Sequence, residues 1–135
     1  MQSQMDSGKG LDRDHIPSKA AVKKAMKDAG VPVKSPTTVN NNLTSVGIDK
    51  DTHKEGRTHG SKNDQAQIDA DSKDLRAAAD RDLAEHRKNL KDRGVPESDI
   101  DAMEAAVHKR NEELGLYDKP LDPKKLKKLN TPGGE

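Results

Sequence analysis

The chain is 135 residues long, carries 25 Lys+Arg against 24 Asp+Glu for a net charge of +1, and has no Cys, Phe or Trp. Counting Gly, roughly 36% of it is apolar against about 45–50% in an ordinary globular domain, so its core must be small and built from Ala, Val, Leu, Ile and Met. The charge balance excludes a uniform polycation, the lack of Cys excludes disulfides and thiolate metal sites, and no apolar run approaches the roughly 20 residues of a membrane span.

Residues 1–10 (MQSQMDSGKG) are polar and Gly/Ser-rich, hold no signal-peptide apolar segment, and read as a flexible leader or a junction to an upstream part. An extended segment is expected from Leu11 to His15, because Pro17 disfavours helix at Ile16. Ser18 is a suitable N-cap for a helix over Lys19–Ala29, with Ala21, Val22, Ala25, Met26 and Ala29 on one face and Gly30 ending it. Residues 31–38 contain two prolines and read as non-helical, Asn40-Asn41-Asn42 reads as a turn, and Leu43–Ile48 as a short strand. Asp49 can cap a brief helix over Lys50–Glu55, stopped by Gly56. The order is then strand with Asp-His, inserted helix, Asn turn, strand, and short helix with His53: a ββα layout with a helix inserted in its hairpin.

The second half reads as helical. From about Gln67 to Arg93, Ile68, Leu75, Ala79, Leu83, His86 and Leu90 form one stripe, closed by Gly94. Ser98 can cap a second helix with Ile100, Met103, Val107 and Leu114 in line, ended by Gly115. The short link between them predicts an antiparallel αα-hairpin. Lys119–Glu135, with Lys124, Lys125, Lys127 and Lys128, reads as a basic, poorly ordered tail.

The residues able to do chemistry lie mostly in the first half. The imidazole of His15 can accept a proton from water near neutral pH. Phosphodiester hydrolysis needs such a base together with a divalent cation. If the strand bends at Asp14, that acid can coordinate the cation while His15 faces the attacking water. His53 offers a second ligand; Mg²⁺ suits an oxygen-rich set, and added imidazoles shift the preference towards Zn²⁺, Ni²⁺ or Mn²⁺. An amide of Asn40, Asn41 or Asn42 could hold the loop carrying His15. Arg13, Lys19, Arg57 and His59 are available to bind phosphate, Arg57 by bidentate contact. Taken singly, each of these is as much at home as a solvated surface residue or in plain turn chemistry. His86 reads as partly buried and His108 as solvated, neither as a ligand.

Together, Asp12-Arg13-Asp14-His15-Ile16-Pro17-Ser18, Asn42, His53 and Arg57-Thr58-His59-Gly60 resemble the HNH/endonuclease VII (ββα-metal) nuclease superfamily. The nearest look is to nuclease domains at the C-termini of bacterial polymorphic toxins, such as those of type VI secretion or Rhs-type proteins. The resemblance covers roughly residues 11–63, and His59 departs from it, standing where an aromatic is expected. It implies His15 as general base, Asp14 and His53 as metal ligands, Asn42 as the structural Asn and Arg57 as a further site residue. The fold class expected is α+β and mostly helical: a ββα-metal core with its inserted helix in 11–63, a helical hairpin in 67–115, and a basic tail from 119 to 135. Residues 11–118 would then be a metal-dependent endonuclease, a DNase serving as a toxin or effector domain. A larger carrier would deliver it to the target-cell cytoplasm, with a cognate immunity protein and no membrane partner.

Three rival readings are a non-enzymatic helical module that binds through the hairpin stripe, a phage or restriction-type nuclease of the same superfamily, and a ribonuclease. The last lacks an aromatic platform for stacking single-stranded bases, Tyr117 being the sole aromatic. The supply of Lys and Arg, without an obvious base-reading helix, predicts sequence-tolerant cutting.

Overall fold

Pro17 sets the end of the first element. In the computed structural model, which describes residues 11–49 and 63–132, β1 (Leu11–His15) stops just before the Ile16-Pro17 step. It pairs antiparallel with β2 (Ser45–Asp49), His15 opposite Ser45 and Asp14 opposite Val46. Ile16 N–H donates to Thr44 O at 3.1 Å and carries the pairing one step beyond the strand.

Two helices, where one was expected, fill the connection between the strands. α1 (Lys19–Asp28) starts at Ser18, whose Oγ accepts from Ala21 N–H at 3.2 Å, and buries Ala21, Val22, Ala25 and Met26. It ends in a Schellman turn: Gly30 takes φ +83°, its N–H reaches Lys27 O at 3.0 Å, and Val31 N–H reaches Met26 O at 2.8 Å. α2 (Pro36–Asn42) corrects the reading of this stretch as non-helical and of the Asn triplet as a turn. Pro36 occupies the first turn, where its missing N–H would have had no intrahelical partner. Ser35 Oγ caps the helix, accepting from Thr38 N–H at 3.3 Å.

The long stripe also divides. α3 (Gln65–Ser72) and α4 (Leu75–Asp92) replace the single helix expected over 67–93, because Asp74 turns its carboxylate onto Ala77 N–H at 3.0 Å and restarts the helix. α5 (Glu97–Glu113) begins at Pro96, with Glu97 and Asp99 in its first turn, and not behind a Ser98 cap. The pairs Lys91–Glu97 (2.8 Å), Arg87–Asp101 (2.8 Å) and Asp80–His108 (3.1 Å) run in opposite chain directions, so α4 and α5 form the expected antiparallel hairpin. Such exposed pairs are screened by solvent and mainly record the register.

The apolar residues gather in two cores. One lies around α1, α2 and the C-terminal segment, including Met26, Val39, Leu43, Leu75, Leu114 and Leu116. The other lies between the sheet and the hairpin: Ile16, Val46, Ile48, Ala79, Leu83, Leu90, Ile100, Met103 and Val107. The hairpin stripe is therefore covered by the sheet and is not the open binding face that the helical-module reading requires.

The C-terminal stretch departs most from expectation. α6 (Pro123–Lys127) and a 3₁₀ turn (Lys128–Asn130) dock onto the first core, leaving Leu126 1% and Leu129 0% exposed. The Asn130 side chain adds bonds to Lys34 N–H (2.8 Å) and Pro32 O (2.9 Å). Two leucines three residues apart, together with these bonds, anchor a turn that is otherwise lysine-rich. Leu129→Ala is thus expected to cost about 2–5 kcal/mol in urea unfolding; a poorly ordered tail would lose no more than about 0.5 kcal/mol. Among the described residues, no helix is long and apolar enough to cross a membrane. The brief helix expected over Lys50–Glu55, with His53, Arg57 and His59, lies outside the described residues.

Candidate active site

Side chains alternate along β1, so Arg13 and His15 share one face of the ribbon and Asp14 takes the other, with Val46. Asp14 enters the core between the sheet and the hairpin and is 7% exposed. A carboxylate there must find hydrogen bonds, because desolvation without them costs several kcal/mol. α4 supplies one: His86 Nε2 lies 2.6 Å from Asp14 Oδ2, and with a carboxylate as acceptor the ring N–H is the donor. His86 is 2% exposed, a correction to its reading as partly buried. The stripe Leu83, His86, Leu90 held a signal for this, since an imidazole on a core-facing stripe needs a polar partner.

His15 is half-buried, its Nε2 lying 3.0 Å from the Asn40 backbone carbonyl. A carbonyl only accepts, so Nε2 carries the proton, and the neutral ring keeps its lone pair at Nδ1. Burial pushes the His15 pKa below 6.5; the Asn40 carbonyl opposes this, Lys19 and Arg13 lower it further, and Asp14 raises it. The ring is therefore neutral at neutral pH, the state a general base requires.

The Asn triplet acts differently from expectation. Asn40 meets His15 through its main chain. Asn42 is buried and its amide nitrogen donates to Leu129 O (2.9 Å) and Thr131 O (2.8 Å), so among the described residues it fastens α2 to the C-terminal turn.

The peptide after His15 is fixed by a chain of polar groups that the sequence did not reveal. Asn111, fully buried, donates from Nδ2 to Ile16 O (3.1 Å) and to the Tyr117 hydroxyl (2.9 Å). Tyr117 in turn donates to His108 Nδ1 (2.7 Å), leaving His108 Nε2 to donate to Asp80 (3.1 Å). His108, expected to be solvated, is half-buried within this chain. Burial pushes the Tyr117 hydroxyl from 10.0 up to about 12, against the Asn111 hydrogen bond, which lowers it. Because the unfolded chain ionises first, Tyr117 contributes stability that is whole below pH 10.0 and lost as the pH rises towards about 12. Tyrosinate absorbance, with Tyr117 the sole tyrosine, is expected to rise with a midpoint near 12; a midpoint at 10.0 would show an exposed hydroxyl.

Arg13 and Lys19 are exposed and flank His15, Arg13 Nη2 lying 3.5 Å from Ser45 Oγ. The structure thus gathers His15, Arg13, Lys19 and, behind the strand, Asp14; Asn42 faces elsewhere, and His53, Arg57 and His59 fall outside the described residues. As a metal centre the described residues are incomplete. They contain no group of three or more His, Asp or Glu able to hold an ion, and Oδ2 of Asp14 is already engaged by His86. A carboxylate bonded to a histidine is a common arrangement behind a metal, but further donors must come from outside the described residues.

No protein family profile and no solved structure matches the chain. It is similar to Deoxyribonuclease CdiA of Dickeya dadantii (strain 3937), at 36% identity over 112 residues that make up 81% of this chain and 3% of that much longer protein.

Proposed function

We propose that this chain is the nuclease domain of a polymorphic toxin, a metal-dependent endonuclease that cuts DNA with His15 as its general base. The observation that carries the reading is the ring of His15, neutral, bonded through Nε2 to Asn40 O and keeping its lone pair at Nδ1. Likeness to a protein named Deoxyribonuclease CdiA favours DNA over RNA as the substrate.

In this reading Nδ1 of His15 takes a proton from water as the water oxygen bonds to phosphorus and the leaving oxygen departs with the scissile electron pair. Donation from Nε2 to the Asn40 carbonyl fixes the ring and stabilises the imidazolium that forms. Arg13, Lys19, Arg57 and His59 would bind flanking phosphates. Asp14 and His53 would hold a divalent ion, Mg²⁺ or a transition metal such as Zn²⁺, Ni²⁺ or Mn²⁺. When bound, such an ion supplies Lewis-acid stabilisation of the developing phosphate and leaving-oxygen charge. The finer assignment to the HNH/ββα-metal superfamily belongs to this proposal, with β1 and β2 as its strands. So do carriage by a longer protein to the target-cell cytoplasm and neutralisation by an immunity protein. Type VI and Rhs-type proteins enter as carriers only by resemblance, whereas the relative described above is a CdiA protein.

The test is incubation of supercoiled plasmid DNA and of structured RNA with purified protein in Mg²⁺, Mn²⁺, Ni²⁺, Zn²⁺ or EDTA. DNA loss to a smear, with metal only, is the expected result. Cleavage of RNA alone, or of neither with any metal, contradicts the proposal.

A further inference from the structure

α1 carries a second feature besides its core stripe. Lys19, Lys23 and Lys27 recur every four residues, about 6 Å apart along one side of the helix. Lys19 and Lys27 are exposed and Lys23 is half-buried. None of the three has an ion pair among the described residues, although carboxylates are plentiful and Lys24, Lys91, Lys119 and Lys125 each have one.

This arrangement works against the helix that carries it. The first turn holds no acid, and Lys19 sits at the positive end of the macrodipole. Like charges at four-residue spacing repel, and burial together with the Lys19 charge pushes the Lys23 ammonium below its usual 10.5. Capping, core stripe, terminating glycine and Lys27 in the last turn of α1 follow stability rules; Lys19 at the N-terminal end and the four-residue spacing of like charges do not. An anion lying along the ridge would relieve the repulsion. Lys23 and Lys27 also line an open groove of about 400 Å³ with the Lys24–Asp28 pair of α1 and with Gln65 and Ile68 of α3, so the ridge borders a concave surface whose one acid is already paired.

We propose that Lys19, Lys23 and Lys27 form a phosphate track that grips the backbone of duplex DNA and leads it to His15. The proposal rests on the DNA reading above and adds two residues, Lys23 and Lys27, to its binding surface. The ridge spans about 8 residue steps, some 12 Å, enough to meet on the order of three phosphates of one strand at 3.4 Å rise. It begins four residues after His15, near enough for the Lys19 charge to act on the His15 ring, so a strand held along it lies beside the base. Phosphate binding of this kind fixes position and carries no sequence information, in keeping with a chain whose sole Phe, Tyr or Trp is the half-buried Tyr117.

Binding is separated from cleavage by working in EDTA with a fluorescein-labelled, mixed-sequence duplex of about 20 base pairs, reading anisotropy across a salt series. The variant Lys19→Gln/Lys23→Gln/Lys27→Gln is expected to bind at least tenfold more weakly. Its slope of log K against log salt should be shallower by about 2.7, or about 0.9 for each phosphate no longer neutralised. Lys19→Arg/Lys23→Arg/Lys27→Arg should bind like wild type. Lys124→Gln/Lys127→Gln/Lys128→Gln removes the same charge from exposed positions on the C-terminal segment and should leave the slope unchanged. If the triple Gln variant of α1 does not fold by far-UV circular dichroism, Lys19→Gln and Lys27→Gln singly should each lower the slope by about 0.9. Equal losses in the α1 and C-terminal variants, or none in α1, overturn the track. A wild type that cuts DNA while the α1 variant keeps its slope refutes the track alone. A wild type that cuts nothing while the slope change appears as stated refutes the nuclease reading and leaves the track standing.

Discussion

His15→Ala is expected to slow metal-dependent DNA cleavage by about 10²–10⁴-fold, the usual contribution of a positioned general base. The loss should fall on the chemical step. The His15 ring is held by its hydrogen bond to Asn40 O and is only half-buried, so its removal costs about 1 kcal/mol of stability. The fold should therefore persist, and affinity for duplex DNA, carried in this account by Arg13 and the α1 lysines, should change by no more than about twofold, well under one tenfold step of 1.4 kcal/mol. Single-turnover cleavage, anisotropy and urea unfolding on the same preparation separate these effects. Wild-type cleavage rates in His15→Ala would remove His15 from the reaction, and parallel loss of rate, affinity and folding would reduce it to a structural residue.

His86→Leu is expected to cost about 3 kcal/mol, a large fraction of the roughly 5–15 kcal/mol available to a domain. Leucine restores apolar volume on a stripe that already holds Leu83 and Leu90, so packing is not the main loss. The loss comes from Asp14, whose carboxylate stays 7% exposed in an apolar core without the donor now 2.6 Å from Oδ2. Cleavage should fall as well, because Asp14 neighbours His15 on β1 and would lose its fixed position. A double-mutant cycle with Asp14→Asn should give a coupling of about 1–3 kcal/mol. A loss below about 1 kcal/mol in the single variant, the range of an ordinary surface change, would show that the pair does not organise the core.

Local chemistry was legible wherever it decided structure by itself. Ser18, Gly30, Gly94 and Gly115 marked helix ends correctly, since caps and positive-φ glycines act within a turn of where they stand. The strand pair emerged from Pro17 and from the β-branched run before Asp49. Pro36 and Asp74 misled because each has two meanings. A proline forbids helix behind it and welcomes one ahead, and an Asp inside an apparent stripe can be a solvated residue or a new cap. At the candidate site, proximity in sequence is what brings Arg13, Asp14, His15 and Lys19 together. Proximity in space alone revealed His86, 72 residues from Asp14, and Asn111, 95 residues from Ile16. A single sequence carries no record of such pairings beyond the need of each buried polar group for some partner. The C-terminal leucines were lost among lysines for a similar reason: their burial depends on Met26, Val39 and Leu43, far back in the chain.

The central claim is that a neutral His15, proton-bearing at Nε2 and open at Nδ1, is poised to take a proton from water. A long-range nitrogen–proton NMR spectrum of the histidine rings at neutral pH, with His15 assigned by its absence from His15→Ala, tests it directly. The geometry predicts the neutral Nε2–H tautomer for His15, in line with its hydrogen bond to Asn40 O and its lowered pKa. A charged ring, or a neutral one carrying its proton on Nδ1, would contradict the account.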